Sequence, residues 1–171
     1  MSETKSENES IATRIRNQSN TGRLRYLGWT SAAGLIVAMV VVSYLPAMGG
    51  GFVWDDNSYV MKDDRLETLA GLGRIWTQVI GDEYLHQFYP MTTTGFWLQH
   101  KLWKKDATGY HVVNVLLHAV NALLLWRLLQ MLQLSGAWFC AAIFAVHPVQ
   151  VMSVAWVSEL KNVLSMLFYL S

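Results

Sequence analysis

YLGWTSAAGLIVAMVVVSYL, residues 26–45, is a twenty-residue run without one charged side chain. A helix needs ~20 apolar residues to cross the hydrocarbon core of a bilayer, so this run reads as a first membrane span, closed by Pro46 and by Gly49-Gly50-Gly51. A cleaved signal peptide fits less well, since its apolar stretch is typically about 7–15 residues behind a shorter basic region. Residues 1–25 are polar, with almost no large apolar side chains, and read as a disordered tail. Arg14, Arg16, Arg23 and Arg25 lie on that side of the span. The excess of arginine on cytoplasmic flanks therefore puts the tail in the cytoplasm. Two N-x-S sequons, at Asn8 and Asn17, fall inside it.

The composition agrees with a membrane protein. Of 171 residues, 53% are hydrophobic and only 15% charged, where soluble domains carry roughly a quarter charged residues. Eight Trp and seven Tyr suit the bilayer interfaces, where amphipathic rings settle. A net charge of +1 without a dense basic patch gives nucleic acid no footing. The single cysteine, Cys140, excludes an internal disulfide.

The fold class expected is an all-α integral membrane protein, a polytopic helical bundle. Residues 1–25 form the cytoplasmic tail and 26–45 the first span. Residues 46–109 form a long extracytoplasmic loop that holds eight of the twelve acidic residues. Within it Leu66, Leu69, Leu72, Ile75, Trp76 and Val79 recur at helical spacing, the mark of a short amphipathic helix. Residues 110–134 are the second span, with Arg127 able to snorkel to the headgroups. Residues 137–158 hold a third span and an outer loop broken at His147-Pro148. Residues 159–171 begin a fourth span that stops after about three turns, so the chain reads as truncated.

Three constellations could carry chemistry. Asp55 and Asp56, behind the glycine turn, offer a general base or hard oxygen ligands for a divalent cation; they could equally cap a turn. Along the second span His111, Asn114, His118 and Asn121 share one helix face. Polar groups at that depth either bond between helices or face a cavity. His147, Glu159 and Lys161 gather at the outer end of the third span, where Lys161 either pairs with Glu159 or meets a phosphate with His147 beside it. There is no zinc-ligand spacing, no glycine-rich phosphate loop and no nucleophile elbow.

Several motifs stand in an order that resembles a known family. They are Phe52-Val53-Trp54-Asp55-Asp56, Phe88-Tyr89-Pro90-Met91-Thr92, Phe96-Trp97, Leu102-Trp103 and Gly109-Tyr110-His111-Val112-Val113-Asn114. Phe144-Ala145-Val146-His147-Pro148-Val149 and Ser153-Val154-Ala155-Trp156-Val157-Ser158-Glu159 with Lys161-Asn162 complete the order. Residues 45–171 thereby resemble the N-terminal membrane region of the transmembrane and tetratricopeptide-repeat proteins, glycosyltransferases of the GT-C type or close relatives of them. The resemblance implies a bundle of GT-C type in the bacterial inner membrane or the endoplasmic reticulum. It implies transfer of a sugar, often mannose, from a polyprenyl-phosphate donor to a protein or glycan acceptor on the extracytoplasmic face. Asp55 is then the base and Asp56 its assistant, with His147 and Lys161 at the donor phosphate and His111, Asn114 and Glu159 as further polar candidates. No cofactor is implied with certainty; a divalent cation is compatible. Membrane lipid is a partner, nucleic acid is not, and a fragment of this length alone would be inactive. Two departures stand out: relatives often carry glutamate at the place of Met152 and arginine at that of Leu160. A non-catalytic anchor for a downstream repeat domain and a transporter or lipid-carrier binder using the polar stripe are the rival expectations.

Overall fold

The computed structural model describes residues 28–77 and 88–171. The tail with its sequons, the first two residues of the expected span, and Val79, Asp82, Glu83 and His86 lie outside the described residues. The chain divides into two compact units, Met1–Leu35 and Ile36–Ser171; the core and the site belong to the second.

Among the described residues the regular elements are helical. Helix α1, Gly28–Met48, and helix α4, Ala107–Met131, are each long and apolar enough to cross a membrane, and the chain is an all-α membrane protein. α1 runs two residues beyond Pro46. Near a helix end, the missing proline N–H deprives only one carbonyl of its partner. The chain then passes through a π-helical turn at Asn57–Met61 and a 3₁₀ turn at Asp64–Leu66. Helix α2, Leu69–Thr77, is the expected amphipathic helix, shorter at its start because Leu66 belongs to the 3₁₀ turn. Thr68 Oγ1 accepts the Gly71 N–H at 3.0 Å, the bond that opens α2. Gly71 lies so close to the Arg65 carbonyl that no Cβ fits between them.

The long loop holds a second helix, α3, Pro90–Trp103, with proline at its first position. Its buried residues include Thr92, Thr93 and Gln99 beside Phe96, so an apolar stripe does not announce it. α4 follows after a tight corner capped by Asp106, whose side chain accepts the Thr108 N–H at 3.0 Å. Gly136, with φ 79°, turns the chain into α5, Ala137–Val146. The face that α5 buries is Ala137, Ala141, Ala142 and Ala145; small side chains let two helix backbones approach closely.

Ten residues make a helix about 15 Å long, half the hydrocarbon thickness. The apolar stretch continues in pieces, as α6, Gln150–Ala155, a 3₁₀ turn at Val157–Glu159, and α7, Leu160–Leu170. The breaks have local causes. His147 is extended (ψ 131°), as the residue before proline must be, and Trp156 is extended too (ψ 130°).

The first break strands a carbonyl, and α4 supplies its donor. In an unbroken helix Ala145 O would receive the Val149 N–H; here that N–H goes to His147 Nδ1 at 3.2 Å. His118 Nε2 takes its place and donates to Ala145 O at 3.0 Å. Asn114 Nδ2 donates to Trp156 O at 2.7 Å, and Asn121 Nδ2 donates to Val163 O at 2.8 Å. Three of the four polar residues of α4 thus make a ladder of side-chain bonds to α5, to Trp156 and to α7. Its spacing follows the 3.6-residue repeat because one helix face must reach successive points along a neighbour.

Replacing His118 with Leu leaves the Ala145 carbonyl buried without its donor. An unsatisfied buried group costs ~1–3 kcal/mol, so this variant should melt measurably lower in detergent micelles, by circular dichroism. Cys140→Ser, at an exposed position, should melt as the wild type does.

Candidate functional site

The site begins where the chain leaves α1. Trp54 takes a left-handed backbone (φ 49°), unusual for a bulky residue. The turn it makes divides the two carboxylates. Asp56 is fully buried. Its Oδ2 accepts the Val53 N–H at 3.1 Å, and its Oδ1 accepts the Ser158 N–H at 2.7 Å, a hundred residues along the chain. Asp55 is exposed, and none of the hydrogen bonds among the described residues reaches its carboxylate. Asp56 holds the loop onto the 156–159 turn, and Asp55 faces outward from it.

Trp156 strengthens the same junction. Its ring lies 5.7 Å from that of Trp54, while its carbonyl takes the bond from Asn114. Just past it, Lys161 Nζ pairs with Glu159 Oε1 at 2.9 Å, and Glu159 Oε2 accepts from Asn162 Nδ2 at 2.5 Å. Tyr59, four residues after Asp55, sits among these charges. Burial pushes its phenol above the ordinary range; Lys161 pulls it down, while Asp55, Tyr89 and Glu159 push it up. At neutral pH Tyr59 is therefore a neutral hydroxyl. Those mutual influences place Asp55, Glu159 and Lys161 round one residue.

Beside this cluster opens a cleft of about 500 Å³ between the start of α3 and α7. Pro90, Met91 and Thr92 line one wall, and Lys161, Asn162 and Phe168 are on the other. The Lys161 ammonium also stands 5.9 Å from the Tyr89 ring centre. The residue at the N-cap of α3, Tyr89, makes no side-chain cap bond. The cleft thus combines a cation, an uncapped helix N-terminus and apolar walls, a set suited to an anion carried on an apolar chain.

The remaining candidates separate. His147 stands exposed at the α5–α6 break, its Nδ1 engaged by the Val149 N–H. Asn114 is committed to Trp156. His111 is 96% buried, since only 4% of its surface is accessible, and neither ring nitrogen has a protein partner; it lies against Gly50, next to the glycine turn. Met152 is exposed on α6, whereas Leu160 is buried, packed into the notch that Gly95 leaves in α3. Sequence reasoning missed Tyr59, Tyr89 and the start of α3. Two signals were there: the i, i+4 spacing of Asp55 and Tyr59, and proline opening a helix at Pro90.

Asp56→Asn puts an amide N–H₂ where one of two backbone N–H groups needs an acceptor. It should lower the melting point, as a loss of about 1–3 kcal/mol, whereas Asp55→Asn should stay within ~0.5 kcal/mol of wild type. Parallel thermal melts in detergent check both.

Known proteins with similar sequences carry one kind of name. Protein O-mannosyl-transferase F38B6.6 of Caenorhabditis elegans is 30% identical over 148 residues, covering 80% of this chain and 21% of that protein. Protein O-mannosyl-transferase TMTC3 of Mus musculus is 28% identical over 144 residues, covering 80% and 16%. Protein O-mannosyl-transferase Tmtc1 of Drosophila melanogaster is 29% identical over 165 residues, covering 92% and 19%. The chain spans about a fifth of the length of these curated relatives. No family model and no solved structure matches it. Over four-fifths of its length the chain is similar to the transmembrane and tetratricopeptide-repeat protein O-mannosyl-transferases, the family that its motifs resemble.

Proposed function

We propose that this chain supplies the acceptor base and part of the donor site of a GT-C-type membrane glycosyltransferase. The enzyme moves a sugar, mannose by the names of its relatives, from a polyprenyl-phosphate donor to a hydroxyl of a protein or glycan acceptor. One observation carries the reading: of the two adjacent carboxylates only Asp55 is exposed, and it shares Tyr59 with Glu159 and Lys161 beside the cleft.

In this reading Asp55 takes the proton from the acceptor hydroxyl as its oxygen attacks the anomeric carbon. The bond from that carbon to the phosphate oxygen breaks, and polyprenyl phosphate leaves with the electron pair. Lys161 and the N-terminus of α3 stabilise the charge that develops on the leaving phosphate. Glu159 holds Lys161 in position, and Tyr59 offers a neutral hydroxyl to an acceptor or phosphate oxygen. His147, whose Nδ1 accepts the Val149 N–H, would meet the donor phosphate through its Nε2–H. A divalent cation, were one used, would be held by Asp55 and would help neutralise charge at the donor phosphate. On this reading the N-terminus is cytoplasmic and the site lies on the opposite face, an orientation that the arginines before α1 favour.

A transport role for the polar row of α4 is less well supported, because three of its four members are spent on bonds to backbone carbonyls.

Membranes from cells expressing the protein, given radiolabelled polyprenyl-phosphate mannose, test the assignment. Asp55→Asn should lower transfer by ~100-fold or more at unchanged protein level, and Lys161→Ala should raise KM for the donor. Transfer unchanged in Asp55→Asn would overturn the base assignment.

A further inference from the structure

The corner between α3 and α4 gathers charge that the transferase reading does not use. Glu67, His100, Lys101, Lys104 and Lys105 line a separate cleft of about 310 Å³. Two acidic groups stand near the three ammonium groups. The Asp106 carboxylate is committed to the Thr108 N–H, which leaves Glu67 to offset one lysine. Lys101 Nζ donates to the Glu67 backbone oxygen at 2.7 Å and stands 5.3 Å from the Trp97 ring centre. Lys104 and Lys105 enter no ion pair among the described residues. Burial, with the lysines adding to it, holds the His100 imidazole below its ordinary range, so the positive charge at neutral pH rests on the lysines.

The corner is built to hold its shape. Lys104 takes a left-handed conformation (φ 51°); its N–H donates to His100 O at 2.9 Å, and its carbonyl accepts the Tyr110 hydroxyl at 2.8 Å. Asp106 N donates to Trp103 O at 3.0 Å. Gly109 sits so close to the Trp103 ring that no Cβ fits. The corner is thereby held without the ammonium groups of Lys104 and Lys105, while that of Lys101 also bonds the Glu67 backbone oxygen.

Position then selects the ligand. Lys105 lies two residues before the membrane-crossing helix α4, the level at which lipid headgroups lie. Leu98 and Leu102 of α3 are 57% and 64% exposed, apolar surface that acyl chains would cover beside the lysines. Snorkelling lysines above an apolar face are the arrangement that holds an anionic headgroup.

We propose that this corner is a binding site for the phosphate of an anionic membrane lipid, separate from the donor cleft. Native mass spectrometry of the detergent-solubilised protein tests it, with phosphatidic acid, polyprenyl phosphate and phosphatidylcholine offered in parallel. One phosphatidic acid should be retained and phosphatidylcholine should not. The variant K101Q/K104Q/K105Q should bind phosphatidic acid about tenfold more weakly, and the triple arginine variant should restore it. Lys161→Ala should leave this binding intact. If the glutamine variant melts lower, Lys105→Gln alone, which touches no backbone bond of the corner, should still weaken retention. Retention at the wild-type level in both the Lys105→Gln and the triple glutamine variants, or retention of phosphatidylcholine equal to that of phosphatidic acid, would overturn the site. So would retention of polyprenyl phosphate alone. Full displacement by inorganic phosphate at equal concentration would overturn the lipid assignment in favour of a soluble anion.

Discussion

A backbone that breaks at membrane depth must find partners for the carbonyls it strands, because water is not there to take them. The segment from α5 to α7 breaks twice, at His147-Pro148 and at Trp156, and α4 answers both breaks with side chains. Asn114 reaches Trp156, His118 reaches Ala145, and Asn121 reaches Val163. Interhelical bonds of this kind contribute ~0.6 kcal/mol each on average, which alone would not hold two helices together. The bond from His118 weighs most, because without it the Ala145 carbonyl has nothing to accept, whereas Trp156 O also accepts the Glu159 N–H and Val163 O lies within α7. The alanine face of α5 makes the bonds reachable, since larger side chains would hold the backbones apart.

The ladder also places the chemistry. Because the chain is allowed to break at Trp156, the turn that follows can expose the Ser158 N–H, and Asp56 takes it. That bond brings the loop behind α1 onto the turn before α7, so Asp55 and the Glu159–Lys161 pair come to share Tyr59. An unbroken helix over residues 150–170 would keep its own N–H groups, and the loop would have no anchor. The site therefore depends on an irregularity, and the irregularity depends on the polar row of α4.

Much of this was legible in residue spacing. Two apolar runs announce α1 and α4, and the i, i+3, i+7, i+10 row declares one face of a helix. The short apolar run before His147-Pro148 betrays an interrupted segment. What could not be read was the division of labour within each motif. Asp55 and Asp56 are chemically identical, and only the left-handed turn at Trp54 and the distant Ser158 N–H make one a clamp and the other free. α3 was hidden because it buries threonine and glutamine beside Phe96, so its packing face does not look apolar. Tyr59 was hidden because its partners lie thirty and a hundred residues away.

The departures at Met152 and Leu160 acquire a physical reading from the same packing. Leu160 is enclosed, with its side chain filling the notch that Gly95 leaves in α3. A guanidinium there would be buried in the contact between α3 and α7, where an unpaired charge is costly. Leu160 instead joins α3 to α7, the two walls of the cleft. One residue further on, Lys161 is turned about 100° round the helix and does line the cleft, held there by Glu159. Met152 is exposed on α6, away from any bond that the junction needs. On the transferase reading, the donor side of this chain rests on Lys161 and the start of α3, and the packing of Leu160 keeps those two elements together.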